Sequence, residues 1–254
     1  MLSQGNKKLI RKLYQKKYRD KTGLFIIEGE KIVSESLQNS KIKVEKLFFT
    51  DSKSPNLLKI NPSIEFFEIT QEEMKTISRL ETPSSLLAIV RQPVAFMGKD
   101  IFSDIVLIFD KIQDPGNLGT IIRTADWFGI RYVVCSPDSV DVFNPKVVQA
   151  SMGAVLRIPV FYLDLPDFLV KAKLLGTPIY GTFLEGENIY DLKNLINKGF
   201  FIFGNESKGI SPTLKVYIDK KITIPSFSKN QDKAESLNLA SSVAIFCSEI
   251  KRTS

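Results

Sequence analysis

Histidine is absent from the 254 residues. A Ser-His-Asp triad is therefore excluded, and any proton acceptor must be a carboxylate, Lys, Tyr, Cys, something less usual, or part of a substrate. Only two cysteines occur, Cys135 and Cys247, far apart and outside any CxxC pair. That excludes a disulfide framework and a zinc finger, and points to two buried small apolar residues in a reducing, cytoplasmic setting. No stretch approaches 18 apolar residues, so no membrane span is expected. The first residues lack the apolar core of a signal peptide. Neither GxGxxG nor GxxxxGK(S/T) occurs, so the common dinucleotide and phosphate-loop readings lack their signatures. No internal repeat or low-complexity tract is visible.

Charge is present but uneven. The net charge is +7, from 35 Lys and Arg against 28 Asp and Glu. Residues 1–21 hold Lys7, Lys8, Arg11, Lys12, Lys16, Lys17, Arg19 and Lys21 against Asp20, so this segment alone carries the whole excess. Leu9, Ile10, Leu13, Tyr14 and Tyr18 give it a helical apolar stripe. A basic amphipathic helix can dock by its stripe and present cations to phosphates, with RNA as the expected partner. A merely solvated lysine face and an anionic membrane surface are the alternatives.

After this helix, GLFIIEGEKIVSESLQNS reads as a strand followed by a helix. EKLFFT and SIEFFEIT read as strands, QEEMKTISRL as a helix and SSLLAIVRQP as a closing strand. These elements form a small α/β unit over residues 1–92. Residues 93–103 mix Pro, Gly and charge and read as a linker. From 104 to 254 the pattern is α/β with buried strands: IVLIF (105–109), YVVC (132–135), IPVF (158–161), PIYGTF (178–183), FFIF (200–203) and ITIP (222–225). A last helix is predicted from about Glu235 to Arg252. This implies a parallel sheet covered on both faces, which binds ligands at the carboxyl ends of its strands.

Three loops follow strands and carry polar or glycine-rich chemistry. In DPGNLGTIIRTA, Asn117 is expected to cap a helix. Leu118, Ile121, Ile122, Ala125 and Phe128 share its apolar face, with Arg123 on the other side. In GNESKGIS, Gly204 and Gly209 free the backbone, through positive φ or close approach, on either side of Glu206. In PSFSKNQDKAESLNLA, Ser236 and Asn238 stand at the mouth of an apolar helix, where N-terminal capping is the ordinary role. Taken singly, Arg123 is a surface arginine and Glu206 a loop carboxylate.

Together the three loops resemble the SpoU (TrmH-like) branch of the SPOUT RNA methyltransferases. The motif Asn-x-Gly-x-x-x-Arg-(Thr/Ser)-Ala is matched by Asn117, Gly119, Arg123, Thr124 and Ala125. Gly-x-Glu-x-x-Gly is matched by Gly204, Glu206 and Gly209, and Ser-Leu-Asn-(Val/Leu)-(Ser/Ala) by Ser236 to Ala240. The resemblance covers residues 104–252. FIIEGEKIVSESL also looks like the start of the family's N-terminal substrate-binding domain, an α/β sandwich similar to kink-turn-binding ribosomal proteins. One departure is the stretch over residues 226–235, which lacks the Pro-Met-x-Gly of many members.

The resemblance implies a trefoil knot in the C-terminal domain and dimerisation through it. It implies S-adenosylmethionine as cofactor, held near Thr182, Leu184, Gly204, Gly209, Ile224 and Leu237. The reaction would be methyl transfer to a ribose 2′-hydroxyl, by analogy in ribosomal RNA, with transfer RNA as the alternative and no metal required. Arg123 would meet the target nucleotide, and Asn117, Glu206, Ser236 and Asn238 would orient it, the ribose or the cofactor. Lys7, Lys8, Arg11, Lys12, Lys16, Lys17 and Arg19 are the candidate RNA contacts. A non-catalytic RNA-binding protein and a nucleotide-dependent enzyme on a Rossmann-type sheet are the competing classes.

Overall fold

A computed structural model describes residues 1–50, 64–191, 198–228 and 234–252. It divides into two compact units: residues 1–94 with 141–156, and residues 95–140 with 157–254. No helix among the described residues is long and apolar enough to cross a membrane.

The first unit begins with two helices, α1 (Gln4–Leu13) and α2 (Lys16–Thr22), where the sequence suggested one. Ser3 caps α1 by accepting from the Asn6 N–H. Gln15 is extended, and there the chain turns. A buried arginine follows the break. Arg19 Nη1 donates to the Leu13 carbonyl at 2.9 Å, and Arg19 Nε donates to Asp141 Oδ2 at 2.9 Å.

Strands β1 (Leu24–Glu28), β2 (Val44–Phe49), β3 (Glu65–Glu68) and β4 (Leu86–Arg91) form a mixed sheet of order β1-β4-β2-β3. Helices α3 (Glu30–Gln38) and α4 (Gln71–Ile77) complete the expected set. A capping box at Thr70 and Glu73 starts α4. Ile10, Leu13, Ile26, Phe48, Met74, Ile77, Leu87 and Ile89 pack as one apolar core. Residues 141–156 pack with this unit although they follow the second strand of the other sheet. Phe143 packs against Phe25 with the rings tilted and 4.7 Å between their centroids.

The second unit holds six strands: β5 (Ile105–Phe109), β6 (Tyr132–Cys135), β7 (Val160–Tyr162), β8 (Ile179–Asn188), β9 (Gly199–Phe203) and β10 (Lys220–Thr223). All pair in parallel, in the order β10-β8-β9-β5-β6-β7. Alternate residues serve the two faces, as strand geometry demands. Val106, Ile108, Phe200 and Ile202 pack with Leu165, Phe168 and Leu169 of α7 (Leu165–Leu174). On the other face α5 (Pro115–Trp127) packs against α9 (Leu239–Arg252), and Phe203 meets Phe246 edge-on at 5.5 Å. Each fully buried phenylalanine contributes about 1.5–3 kcal/mol. The remaining helices are α6 (Pro145–Ala150), in the first unit, and the short α8 (Pro212–Lys215). Residues 99–103, read as linker from the sequence, form a 3-10 turn that buries Ile101.

Two further boundaries differ from the sequence reading. Asp114, not Asn117, caps α5: its Oδ1 accepts from the Asn117 N–H at 2.7 Å, and Pro115 fills the first helical position. The last helix starts at Leu239 rather than Glu235, because Asn238 Oδ1 accepts from the Ser241 N–H at 3.2 Å. Both cysteines are buried as free thiols. Burial pushes the Cys135 thiol far above its ordinary range and Cys247 up to about 12, so neither serves as a nucleophile.

Candidate active site

The strand order places β9 between β5 and β8, with β10 beyond β8. The loops after β5, β9 and β10 therefore leave the same end of one parallel sheet, and their polar residues meet. Asn238 Nδ2 donates to Asn117 Oδ1 at 2.9 Å. Asn117 Nδ2 donates to Glu206 Oε1 at 3.0 Å. The direction of this relay is fixed at its start. The Ser241 N–H occupies Asn238 Oδ1, so Asn238 must donate onward through Nδ2. Asn117 then accepts on one side and donates on the other, and Glu206 receives the last bond as an acceptor. One residue from each of the three sequence motifs is thereby joined in a single chain.

The other predicted residues are placed separately. Arg123 lies exposed on α5 and has no hydrogen-bond or ion-pair partner among the described residues. Six residues of helix separate it from Asn117, which turns the two side chains to different faces. Ser236 is exposed and likewise makes no side-chain hydrogen bond among the described residues. Asn238 combines the capping role with its place in the relay.

The two glycines serve different ends. Gly209 has φ +65°, the left-handed region, and a Cβ there would meet no atom within 4 Å. Gly204 is needed for close approach: a Cβ would lie 2.1 Å from the Gly209 carbonyl carbon. The segment between them closes on itself, since Asn205 N donates to Gly209 O at 3.1 Å and Gly209 N to Asn205 O at 2.9 Å.

Strand β8 carries a feature that the sequence did not announce. Its pairing with β10 jumps from Gly181↔Lys221 to Glu187↔Ile222, so residues 182–186 bulge out of register. Gly186 permits this, because a Cβ there would sit 2.7 Å from the Lys221 carbonyl oxygen. Thr223 Oγ1 donates to Leu184 O at 3.0 Å and holds the bulge, while Thr182 Oγ1 donates to Ile202 O at 3.1 Å. Bulges of this kind re-aim side chains beside functional sites. Here the result is that Leu184 is 74% exposed. Ile224 follows β10, and Leu237 is half exposed just before α9. Of the atypical stretch 226–235, residues 229–233 lie outside the described residues.

These positions fit a cofactor with both apolar and polar surfaces. Leu184 and Leu237 offer exposed apolar contacts, and the open side of Gly209 lets a ligand approach the backbone.

The sequence profile of the SpoU rRNA methylase family matches residues 104–248. The chain belongs to the SpoU rRNA methylase family. A second profile, the MRM3-like substrate binding domain, matches residues 6–88. The 23S rRNA (guanosine(2553)-2′-O)-methyltransferase RlmP of Bacillus subtilis is 33% identical over 92% of this chain and 91% of its own. A structure from Porphyromonas gingivalis, assigned to the TrmH family of RNA methyltransferases, superposes with a TM-score of 0.85 at 38% identity, covering 100% of both chains. An S-adenosylmethionine-bound rRNA methyltransferase from Sinorhizobium meliloti superposes with a TM-score of 0.84 at 28% identity, covering 99% of this chain and 97% of that one.

The candidate RNA contacts lie in the first unit. Lys7, Lys8, Arg11 and Lys12, with Gln4, Gln15 and Tyr18, line a hollow of about 310 Å³. Lys12 Nζ stands 5.1 Å above the Tyr18 ring. Among the described residues none of these four cations has a carboxylate partner within ion-pair distance, whereas Lys16 pairs with Asp20 at 2.8 Å. Lys17 is exposed. Arg19 departs from the expectation. It is 2% exposed and committed to Asp141 and the Leu13 carbonyl, which leaves it no free face for a phosphate.

Proposed function

We propose that this chain transfers a methyl group from S-adenosylmethionine to a ribose 2′-hydroxyl in ribosomal RNA. The observation that carries the proposal is the Asn238–Asn117–Glu206 relay, in which two hydrogen bonds join one residue from each motif of the family. When bound, the cofactor supplies an electrophilic methyl on a positive sulfur. The difficulty left to the protein is the nucleophile, since a ribose hydroxyl is hardly ionised at neutral pH.

The chain's residues address that difficulty by position and charge. Arg123, exposed and uncommitted among the described residues, can fork onto a phosphate and adjoin the hydroxyl, stabilising negative charge as it develops on O2′. The proton released from the hydroxyl passes to phosphate or water. Glu206 Oε1 accepts from Asn117, and Oε2, without a partner among the described residues, is offered to a ligand donor. The bulge residues Thr182 and Leu184, the backbone of Gly204 and Gly209, and Ile224 and Leu237 hold the cofactor. Ser236 orients it or the ribose. The second unit is the catalytic domain, and its C-terminal segment forms the trefoil knot. Exposed Leu184, Leu237 and Phe227 are covered by the cofactor and by a second copy in a homodimer. Residues 1–92 bind the RNA through the basic hollow, in the cytoplasm where ribosomal RNA is found.

Three measurements test this. Calorimetry should show S-adenosylmethionine binding, with NAD and ATP as controls. Mapping of 2′-O-methylation in ribosomal RNA should reveal one site lost in a deletion strain. Arg123→Ala should fold and bind the cofactor yet lose most methyl transfer. Near-wild-type turnover in that folded variant would remove Arg123 from the reaction.

A further inference from the structure

Asn205 sits between Gly204 and Glu206, at a position the motif leaves open, and its carboxamide makes three hydrogen bonds. Oδ1 accepts from the N–H groups of Ser207 at 3.0 Å and Lys208 at 3.1 Å, which closes the turn that carries Glu206. Nδ2 donates to the Lys111 carbonyl at 2.9 Å, in the loop after β5. Lys111 is itself unusual. Its φ is +61°, and among the described residues only Met152 is another non-glycine with positive φ. Such a conformation costs about 1–2 kcal/mol for an L residue. It is anchored from the other side, where the Lys111 N–H donates to Ser136 Oγ at 2.8 Å.

The segment after β9 is thus tied to the segment after β5 at three points: Asn205 to Lys111, Glu206 to Asn117 at the start of α5, and Ser211, whose N–H donates to Asp110 Oδ2 at 2.7 Å. A single hydrogen bond between partly exposed groups contributes about 1 kcal/mol net and leaves the loops free to pivot about it. Two ties from adjacent residues onto the ends of one short loop remove that pivot. We infer that Asn205 is a positioning residue for methyl transfer. Its carboxamide clamps the loop after β9 onto the loop after β5, and so holds Glu206 in register with Asn117. The inference rests on the proposed methyltransferase reading.

Asn205→Asp isolates the clamp. It retains an oxygen for the Ser207 and Lys208 N–H groups but sets a second oxygen against the Lys111 carbonyl. Asn205→Ala removes both functions and serves as the comparison. In Asn205→Asp the unfolding temperature should stay close to that of wild type, and transfer is measured at saturating cofactor because the clamped loop also carries Gly204 and Gly209. The single-turnover rate on ribosomal RNA should fall by about tenfold or more, with the RNA KM unchanged. A rate within about twofold of wild type, or a deficit that vanishes once the unfolded fraction is subtracted, would overturn the inference. If the wild-type protein transfers no methyl at all, the functional reading fails instead. Hydrogen exchange then judges the clamp: faster exchange over residues 204–211 in Asn205→Asp upholds it, and unchanged exchange overturns it.

Discussion

Replacing Asn117 by Asp exchanges one NH2 group for an oxygen and leaves the shape unchanged. The acceptor toward Asn238 Nδ2, 2.9 Å away, survives. The donor toward Glu206 Oε1, 3.0 Å away, becomes a second carboxylate oxygen. Two charges centred about 4 Å apart repel by about 1 kcal/mol at the dielectric of water and about 4 kcal/mol at an effective dielectric of 20. Glu206 is exposed and Asn117 half-buried, so the lower part of that range applies. Loss of a hydrogen bond to a charged group adds about 1.5–3 kcal/mol. The total is about 2–4 kcal/mol if the site must be reassembled for reaction. In the resting protein Glu206 can swing into water, so the unfolding temperature should move little. Methyl transfer, which needs the relay intact, should fall about 30-fold or more, the equivalent of 2 kcal/mol. The assay is single-turnover transfer of labelled methyl to a ribosomal RNA fragment at saturating cofactor, with Asn117→Ala as the uncharged control. A wild-type rate in Asn117→Asp would refute the relay.

What the sequence revealed of this site, and what it hid, divides by the range of the forces involved. IVLIF and FFIF were legible as buried strands because every residue in them is apolar and turn chemistry bounds them. The three loops were legible because polar and glycine residues follow those strands directly. Both are local signals. The order β10-β8-β9-β5 was not legible, since it depends on which strands pair across tens of residues. For the same reason the 182–186 bulge was hidden: its cause is the close approach of Lys221 to Gly186. Arg19 looked like one more cation on a basic helix. Its partner Asp141 lies 122 residues away, so nothing near Arg19 in the sequence marks it as buried and paired. Asn205 escaped notice because its three hydrogen bonds run to backbone groups, which carry no residue-specific signature.

The remaining predictions concern the cofactor loop, a buried carboxyl and the basic hollow. Gly204→Ala should lower both thermal stability and cofactor affinity, because its Cβ would lie 2.1 Å from backbone, whereas Gly209→Ala should cost only about 1 kcal/mol of φ strain and stay folded. Equal effects in the two variants would contradict the assignment. Burial raises the Glu28 carboxyl above its ordinary 4.5, outweighing the bonds it accepts from Ser78 Oγ and the Ser84 N–H. The folded state then holds this proton to higher pH than the unfolded state does, so its contribution to stability declines as pH rises through and above 4.5. Glu28→Gln should remove that decline in urea unfolding, and an unchanged pH slope would argue against it. For the hollow, RNA affinity should depend on salt, because each phosphate contact adds about 0.7–0.9 to the slope of log K against log salt. Replacing Lys7, Lys8, Lys12, Lys16 and Lys17 by Gln should flatten that slope by about 2 if two or three of them touch phosphates. Lys16 should contribute least, since Asp20 already neutralises it at 2.8 Å. Arg19→Gln should behave in the opposite way. It strands Asp141 and the Leu13 carbonyl, so it should lower stability by about 3–5 kcal/mol while leaving the slope alone. Cofactor binding should be intact in the five-Gln variant, whose substitutions all lie in the first unit. A salt slope identical to wild type in that variant would show that the hollow does not meet RNA phosphates, and that its cations are only a solvated face.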